Sequence, residues 1–117
     1  MSVLLIDDEA DLVLLWCEYL NAKGIPARSA HRVDEVDAAL DQGPVEVVVI
    51  DYQLPDGTAA DVLDRLDARG SGARAVLCSG HGGHLPHGVL DRAHSVVGKP
   101  LRLEQLVRAI EAARDAT

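Results

Sequence analysis

The stretch VVVIDYQLPDG, residues 47–57, decides the fold. It begins with an unbroken run of β-branched apolar residues that ends at Asp51, and it continues into the Pro-Asp-Gly composition typical of a turn. A strand without polar alternation suits a parallel sheet that is covered by helices on both faces. The stretch therefore predicts a buried central strand with a carboxylate at its carboxyl end.

Outward from this stretch, short apolar runs alternate with longer segments whose apolar residues repeat at helical spacing. The predicted strands are Val3–Ile6, Pro26–Ala30, Val45–Ile50, Ala75–Cys78 and Val96–Val97, and the predicted helices contain Leu12–Leu20, Val33–Leu40, Ala59–Leu66 and Leu103–Ala113. We expect Pro26–Ala30, the most polar run, at a sheet edge, and Thr58 as the N-cap of the third helix, with Asp61 three residues on. This order predicts an α/β fold, a doubly wound five-stranded parallel sheet with helices on both faces.

The segment Gly80–Gly88, reading GHGGHLPHG, interrupts this regularity. Inside a helix, glycine costs about 1 kcal/mol and proline about 3 kcal/mol relative to alanine. We therefore expect a loop, followed by at most a short helix from Val89 to about Ala93, so that the fourth helix is short or disordered. The histidines of this segment could suggest a metal site, but it contains no cysteine or carboxylate, which favours solvated loop histidines. They are His81, His84 and His87.

Composition excludes several classes of protein. The 117 residues fit one domain, residues 1–117. With 19 acidic and 11 basic residues the net charge is −8, which argues against the basic face that a nucleic-acid binder needs. No apolar run approaches the roughly 20 residues that span a bilayer, and acidic residues 7–9 interrupt the N-terminal run, which argues against a signal peptide. Cys17 and Cys78 form no CxxC pattern and are expected to be reduced. We expect an acidic, cytoplasmic domain without a membrane or nucleic-acid partner.

Polar side chains follow four of the five predicted strands, namely Asp7, Asp8, Asp51, Ser79 and Lys99. Ligand sites of doubly wound sheets lie beyond the carboxyl ends of the strands, so these groups are expected to converge. Two like charges about 4 Å apart repel by roughly 4 kcal/mol at an effective dielectric constant of 20, and one lysine leaves an excess of negative charge. Oxygen ligands of this kind suit Mg²⁺, and a carboxylate can act as a nucleophile toward phosphorus.

Four segments together resemble the receiver domain of two-component response regulators. They are VLLIDDE at residues 3–9, VVVIDYQLPDG at 47–57, LCSG at 77–80 and VVGKPL at 96–101, and they cover the chain in the family's order. The resemblance implies a flavodoxin-like strand order, 2-1-3-4-5. It also implies a phosphorylation switch with self-catalysed phosphotransfer and autodephosphorylation, rather than an enzyme. The segment Gly80–Gly88 is similar in style to that of receivers attached to hybrid sensor kinases.

The resemblance implies an acceptor and a metal site. Asp51 would accept a phosphoryl group from the phosphohistidine of a histidine kinase or phosphotransfer protein. Asp8 and Asp51 would bind Mg²⁺ through their carboxylates, Gln53 through its backbone carbonyl, and Asp7 directly or through water. The outcome would be a changed affinity for an unknown downstream protein, or the relay of phosphate.

The resemblance also assigns supporting roles at the ends of the last two strands. Lys99 would pair with Asp51 and then with the phosphoryl oxygens, and Ser79 would bring its hydroxyl to the phosphoryl group. A chain with nine arginines and two lysines that keeps lysine here suggests a need for a compact ammonium group. The family often has a cis peptide bond before the residue at Pro100. The residues that would tune the switch are Gln53, Gly80, His81, Val96 and Pro100.

Two of these tuning positions carry specific expectations. The family usually has Tyr or Phe where this chain has Val96, so coupling from Ser79 to the output face is expected to use another route or to be weak. His81 lies two residues after Ser79 and, with Gln53, could contact the attacking water and set the lifetime of the aspartyl phosphate. An unchanged autodephosphorylation rate in His81→Ala would exclude that role.

Alternative interpretations remain open at this point. Asp7 and Asp8 could cap the first helix, Asp51 could end a strand before a turn, and Ser79 could be an ordinary loop residue. A degenerate receiver would bind partners without phosphorylation. A phosphatase of the haloacid-dehalogenase type would want an aspartate where Gln53 stands, and a flavin mononucleotide binder would want a phosphate-binding loop in place of the acidic residues after the first strand.

The output of a receiver defines the last expectation. With no output domain after the last helix, we expect a stand-alone receiver that acts through protein contacts or as a phosphate relay. Arginines of the last helix could meet an acidic partner, although a solvated helix face is the better explanation. These are Arg102, Arg108 and Arg114.

Overall fold

The protein was described from a computed structural model, which covers residues 2–80 and 85–116 and, of residue 87, the backbone alone. Its elements are β1 (Val3–Ile6), α1 (Ala10–Ala22), β2 (Ala27–Ala30), a 3₁₀ turn (Val33–Glu35), α2 (Val36–Asp41), β3 (Val47–Asp51), β4 (Gln53–Leu54), β5 (Gly57–Thr58), α3 (Ala59–Ala68), β6 (Arg74–Ser79), α4 (His87–Leu90), β7 (Ser95–Gly98) and α5 (Leu103–Asp115). Within these described residues, no helix has the length and apolar character needed to cross a bilayer.

Five strands form one parallel sheet in the order β2-β1-β3-β6-β7, which confirms the predicted flavodoxin-like order. The polar strand β2 lies at an edge, as predicted, and β3 lies in the centre. Strands β4 and β5 form a separate antiparallel hairpin joined by Pro55 and Asp56, which the sequence analysis did not predict. Two-residue strands are too short to show a periodic pattern, so only the turn residues indicated this feature.

The sheet separates two apolar cores, because successive side chains of a strand point to opposite faces. One core contains Leu4, Ile6, Val48, Ile50 and Leu77, together with residues of α2 and α3. The other contains Val3, Leu5, Val47, Val49 and Val76, together with residues of α1 and α5. Helices therefore cover both faces, as the unbroken apolar runs predict. Cys78 is buried in the second core and Cys17 packs against it, and neither forms a disulfide.

The helix ends agree with the sequence in one case and differ in another. Thr58 caps α3 as predicted: its Oγ1 accepts the N–H of Ala60 at 3.2 Å, and Asp61 Oδ2 accepts the N–H of Thr58 at 2.9 Å. The fourth helix is short, as expected, but it spans His87–Leu90 rather than the predicted Val89 to Ala93. It begins earlier because Pro86, whose fixed φ suits a helix start, precedes it, and the carbonyl of Pro86 accepts the N–H groups of Val89 and Leu90.

Candidate functional site

Three carboxylates meet at the carboxyl ends of the two central strands. Strands β1 and β3 pair in parallel with Ile6 opposite Ile50, so the residues that follow, Asp7 and Asp51, are neighbours. One oxygen from each of Asp7, Asp8 and Asp51 lies within 4.8 Å of the others. Asp7 is only 2% exposed, whereas Asp8 is exposed. The predicted convergence of the acidic residues is therefore present in the fold.

Lys99 supplies the positive charge of this cluster. Its Nζ lies 2.8 Å from Asp7 Oδ2 and 3.3 Å from Asp51 Oδ2, and Glu9 Oε1 lies at 3.8 Å. Partial burial alone would lower the pKa of Lys99, but the hydrogen bond and charge of Asp7, followed by those of Asp51, outweigh it and raise the pKa. The ammonium group is thus held in its charged form between two strand ends.

Asp51 has the opposite balance. Burial raises the pKa of Asp51, and the charge of Asp7 adds to that rise. The charge of Lys99 and hydrogen bonds from Lys99 and the backbone of Gln53 oppose it without cancelling it. The carboxyl group that the sequence predicts as the acceptor is therefore costly to ionise in the folded protein while nothing else neutralises the cluster.

The donor set of the cluster fits a hard divalent cation. Three carboxylates have oxygens within 4.8 Å of one another, and two of them, Asp7 and Asp51, pair with Lys99, so one ammonium group leaves negative charge uncompensated. All the donors are oxygens, and Asp8 faces solvent, where hydrated metal could approach. Mg²⁺ typically binds to one or two carboxylates and keeps several waters, so Asp7, Asp8 and Asp51 are the residues that could hold it.

A pocket of about 340 Å³ opens beside the cluster, lined by Asp8, Asp51, Tyr52, Gln53, Ser79, Gly80, Leu85 and Lys99. The lining unites predicted site residues from β3, β4, β6 and the end of β7. Asp7 lies deeper and contacts Lys99 instead. The contribution of Leu85 was not predicted, because nothing in its own segment shows which part of the fold it reaches.

Backbone pairing positions Ser79 beside Lys99. Ser79 pairs with Gly98 where β6 meets β7, and its carbonyl accepts the N–H of Lys99 at 3.0 Å. The bond between Lys99 and Pro100 is cis, the isomer that the family often has. The hydroxyl and the ammonium group are therefore held on adjacent strand ends.

The remaining tuning residues are placed differently. Val96 lies on the edge strand β7 and is 41% exposed, so an aliphatic side chain occupies the surface position where the family usually has Tyr or Phe. His81 and His84 lie outside the described residues, as does the side chain of His87. The role of His81 in water positioning and the alternative of a histidine metal site stay predictions.

Helix capping does not account for the acidic pair after β1. Glu9 is the N-cap of α1 and the helix begins at Ala10, so neither Asp7 nor Asp8 is the capping residue. Asp7 Oδ1 does accept the N–H of Glu9 at 3.0 Å, which fixes the orientation of its carboxylate toward Lys99.

Sequence reasoning assigned no role to Asp56. Its carboxylate accepts the backbone N–H of Val33 at 2.7 Å through Oδ1 and that of Asp34 at 3.0 Å through Oδ2. Desolvation raises the pKa of Asp56, but the hydrogen bonds from the backbone of Val33, Asp34 and Asp56 itself, together with the charge of Arg32, outweigh it and lower the pKa. Aspartate in a Pro-Asp-Gly sequence indicates a turn, but it does not show that the side chain has hydrogen-bond partners more than twenty residues away.

Comparison with known families and regulators agrees with this geometry. The family model described as the response regulator receiver domain matches residues 3–111. The acid tolerance regulatory protein ActR of Rhizobium meliloti (strain 1021) is 28% identical over 81 residues, covering 69% of this chain and 42% of ActR. The photosynthetic apparatus regulatory protein RegA of Rhodovulum sulfidophilum is 27% identical over 81 residues, covering 69% of this chain and 44% of RegA. The chain thus spans less than half the length of these relatives.

Solved structures with the same fold include two receiver domains. The receiver domain of NtrX from Brucella abortus is 25% identical, with a TM-score of 0.86 and coverage of 98% of this chain and 99% of that chain. A CheY-like receiver domain protein from Methanospirillum hungatei JF-1 has the same TM-score of 0.86 at 20% identity, covering 97% of this chain and 93% of that chain. The latter similarity concerns the fold alone.

Proposed function

This chain belongs to the receiver domains of two-component response regulators, and from that membership we propose that phosphorylation of Asp51 switches it between two signalling states. Receiver domains are signalling switches rather than catalytic enzymes, which sets aside the phosphatase and flavin-binding alternatives. The observation that carries the proposal is the cluster of three carboxylates within 4.8 Å of one another, two of them paired with Lys99, beside a pocket open to solvent.

We propose a direct transfer from a phosphohistidine to Asp51. One carboxylate oxygen attacks the phosphorus, a phosphorus–oxygen bond forms, the phosphorus–nitrogen bond of the donor breaks, and the departing imidazole takes up a proton. The ammonium group of Lys99, 3.3 Å from Asp51, would neutralise charge on the phosphoryl oxygens. The hydroxyl of Ser79 would donate a hydrogen bond to one of those oxygens.

We propose Mg²⁺ as the cofactor of this transfer. Asp8 and Asp51 would hold it through carboxylates, Gln53 through its backbone carbonyl, and Asp7 directly or through water. When bound, Mg²⁺ supplies positive charge to the phosphoryl oxygens and relieves the repulsion among the carboxylates. The chain itself keeps Lys99 charged and directs the Asp7 carboxylate toward it.

The proposed partners are proteins. The donor would be a histidine kinase or a phosphotransfer protein in the cytoplasm, and the receiver would act as one unit, residues 1–117, on an unidentified downstream protein. The chain has 19 acidic and 11 basic residues, and this net negative charge disfavours direct contact with nucleic acid.

Intact mass spectrometry with acetyl phosphate and Mg²⁺ tests the proposal. The wild-type protein should gain one phosphoryl group, and the gain should disappear with a chelator and in Asp51→Asn. Asp64→Asn, which changes an exposed aspartate of α3, is the matched control and should gain the group normally. A wild type that gains nothing would overturn the proposal and favour a phosphorylation-independent interaction module. Equal labelling of Asp51→Asn would exclude Asp51 as the acceptor.

A further inference from the structure

The β2–α2 connection, residues 31–35, contacts one residue of the acidic site, Asp7, and also the hairpin that follows β3. On one side, Nδ1 of His31 lies 3.1 Å from the carbonyl oxygen of Asp7, which follows β1. On the other side, the backbone N–H groups of Val33 and Asp34 donate to Asp56, which lies in the turn of the β4–β5 hairpin. The connection therefore links the residues after β1 to the hairpin that follows β3.

Asp56 uses both carboxylate oxygens in this link. Arg32, the N-cap of the 3₁₀ turn, makes no side-chain capping bond, so Asp56 caps the turn from the hairpin. Bonds from a carboxylate to N–H groups at a helical N-terminus are charge-assisted and directional, which fixes both the distance and the angle between the two segments. Arg32 Nε lies 3.8 Å from Asp56 and adds attraction.

Gly57 shows that the hairpin and the connection are in direct contact. A Cβ atom at this position would lie 3.1 Å from Cγ2 of Val33, which is buried, and would overlap the carboxylate of Asp61. A side chain at residue 57 would therefore displace the Asp61 carboxylate and press against Val33. Because packed segments transmit strain, a displacement of the connection would be felt by the hairpin.

The other end of the hairpin reaches the phosphorylation site. Gln53, its first residue, pairs with Thr58, and its backbone hydrogen-bonds to Asp51. Gln53 also lines the pocket beside Asp51 and Asp8. A hairpin that turned about Leu54 would therefore move the backbone of Gln53 relative to the carboxylates.

We propose that Asp56 is a positioning residue that sets the Mg²⁺ affinity of the site by fixing the backbone of Gln53 against the residues after β1. The inference rests on the proposed function, in which the Gln53 carbonyl is a metal ligand. Asp56 touches neither the metal nor the phosphoryl group. It acts through the hairpin, as outer-shell partners orient the ligands of a metal.

Asp56→Ala tests the proposal through two separate measurements. The dissociation constant for Mg²⁺, measured by calorimetry without phosphodonor, should rise roughly tenfold, the lower end of what loss of an outer-shell partner costs. The Mg²⁺ concentration for half-maximal phosphorylation by acetyl phosphate should rise by the same factor, while the rate at saturating Mg²⁺ stays close to that of wild type.

Asp37→Ala is the matched control for loss of stability alone. Asp37 lies in the first turn of α2 and pairs with Arg65 at 2.6 Å and Arg69 at 3.5 Å, on the side of α3 rather than the hairpin. This variant should melt at a lower temperature and bind Mg²⁺ as wild type does. A merely structural role for Asp56 would make the two variants alike in Mg²⁺ affinity.

Two further variants keep the test decisive if Asp56→Ala does not fold. Asp56→Asn keeps one acceptor oxygen and should weaken Mg²⁺ binding less than Asp56→Ala. Gly57→Ala keeps the Asp56 carboxylate but places a methyl group against Val33 and the Asp61 carboxylate, and should weaken Mg²⁺ binding as well. Amide hydrogen exchange of Val33 and Asp34 should accelerate in Asp56→Asn.

Wild-type Mg²⁺ affinity in Asp56→Asn and Gly57→Ala would overturn the inference. An equal loss of affinity in Asp37→Ala would overturn it too. If wild type binds Mg²⁺ but is never phosphorylated, the proposed function fails, and the calorimetric comparison still decides the role of Asp56.

Discussion

Aspartates gather in two regions of this molecule, the acidic site and a flank between α2, α3 and the segment after α4. In the flank, arginines partner the aspartates, and the pairs are Arg65–Asp37 at 2.6 Å, Arg69–Asp41 at 2.5 Å, Arg92–Asp64 at 2.9 Å and Arg92–Asp67 at 2.7 Å. These aspartate side chains are 45% to 74% exposed. In the acidic site, three carboxylates lie together, two of them pair with the same lysine, Lys99, and Asp7 is 2% exposed.

The difference shows where charge is structural and where it is poised for chemistry. Exposed pairs are screened by water and contribute about 0–1 kcal/mol each, so the flank gains little stability and perturbs little. In the acidic site, burial strengthens both the attraction to Lys99 and the repulsion among the carboxylates. Negative charge that the protein does not neutralise is available to attract a cation, and groups with perturbed pKa values are for this reason common at functional sites.

Removing the shared cation should have the largest effect on stability. Lys99→Ala leaves the buried Asp7 and the partly buried Asp51 without a positive partner, and breaking a buried pair typically costs about 3 kcal/mol or more. Urea unfolding at pH 7 should show this loss. Added Mg²⁺ should raise the melting temperature of the variant more than that of wild type, because it supplies the missing positive charge.

Lys23→Ala is the control for that variant. Lys23 is exposed and lies 5.2 Å from the ring centroid of Tyr19, so its loss should cost less than about 1 kcal/mol. If Lys99→Ala were as stable as Lys23→Ala, Lys99 would not offset buried negative charge, and the acidic site would not differ from the exposed surface in this respect.

Removing one carboxylate should have a smaller effect of opposite sign. Without metal, Asp51→Asn and Asp8→Asn should be as stable as wild type or more stable, because repulsion is relieved. Both variants should lose most of the stabilisation that Mg²⁺ gives to wild type. Thermal melts with and without Mg²⁺ measure both effects, and a clear loss of metal-free stability in both variants would contradict the comparison.

The pH dependence of this effect follows from the raised pKa of Asp51. The folded protein holds the Asp51 proton more tightly than the unfolded chain, so ionisation costs stability. That cost is absent below the ordinary pKa of 3.8 and grows as the pH rises through the folded value. The advantage of Asp51→Asn in metal-free melts should therefore appear above pH 3.8 and then become constant. An advantage that shrinks with rising pH would contradict the assigned cause.

The smallest effect is expected in the flank. Arg92→Ala removes two pairs to Asp64 and Asp67, whose side chains are 68% and 74% exposed. It should cost less than about 1 kcal/mol in urea unfolding and leave Mg²⁺ affinity unchanged. A loss as large as that of Lys99→Ala would remove the distinction between the two regions.

The fold and most of the site could be predicted because their signals are local. The run through residues 47–50 is apolar at every position, so its strand and its burial on both faces are evident without a partner. Asp7, Asp51 and Lys99 follow such runs directly, and parallel pairing brings their ends together.

Other features could not be predicted because they depend on residues that are distant in sequence. The start of α4 was misplaced because the glycines of its segment oppose a helix while Pro86 favours its first turn. Asp56 carries a turn signal, but nothing in its own segment indicates that its partners are the N–H groups of Val33 and Asp34.

By itself, the sequence determined which segments are strands, which are helices and which side chains stand at the strand ends, because apolar periodicity and turn chemistry are properties of neighbouring residues. The tertiary structure alone decided that Lys99 approaches Asp7 more closely than Asp51, that Asp7 is buried while Asp8 is exposed, and that Asp56 caps a turn far along the chain. These relations depend on how the strands and loops pack against one another, and packing is settled by the whole chain at once.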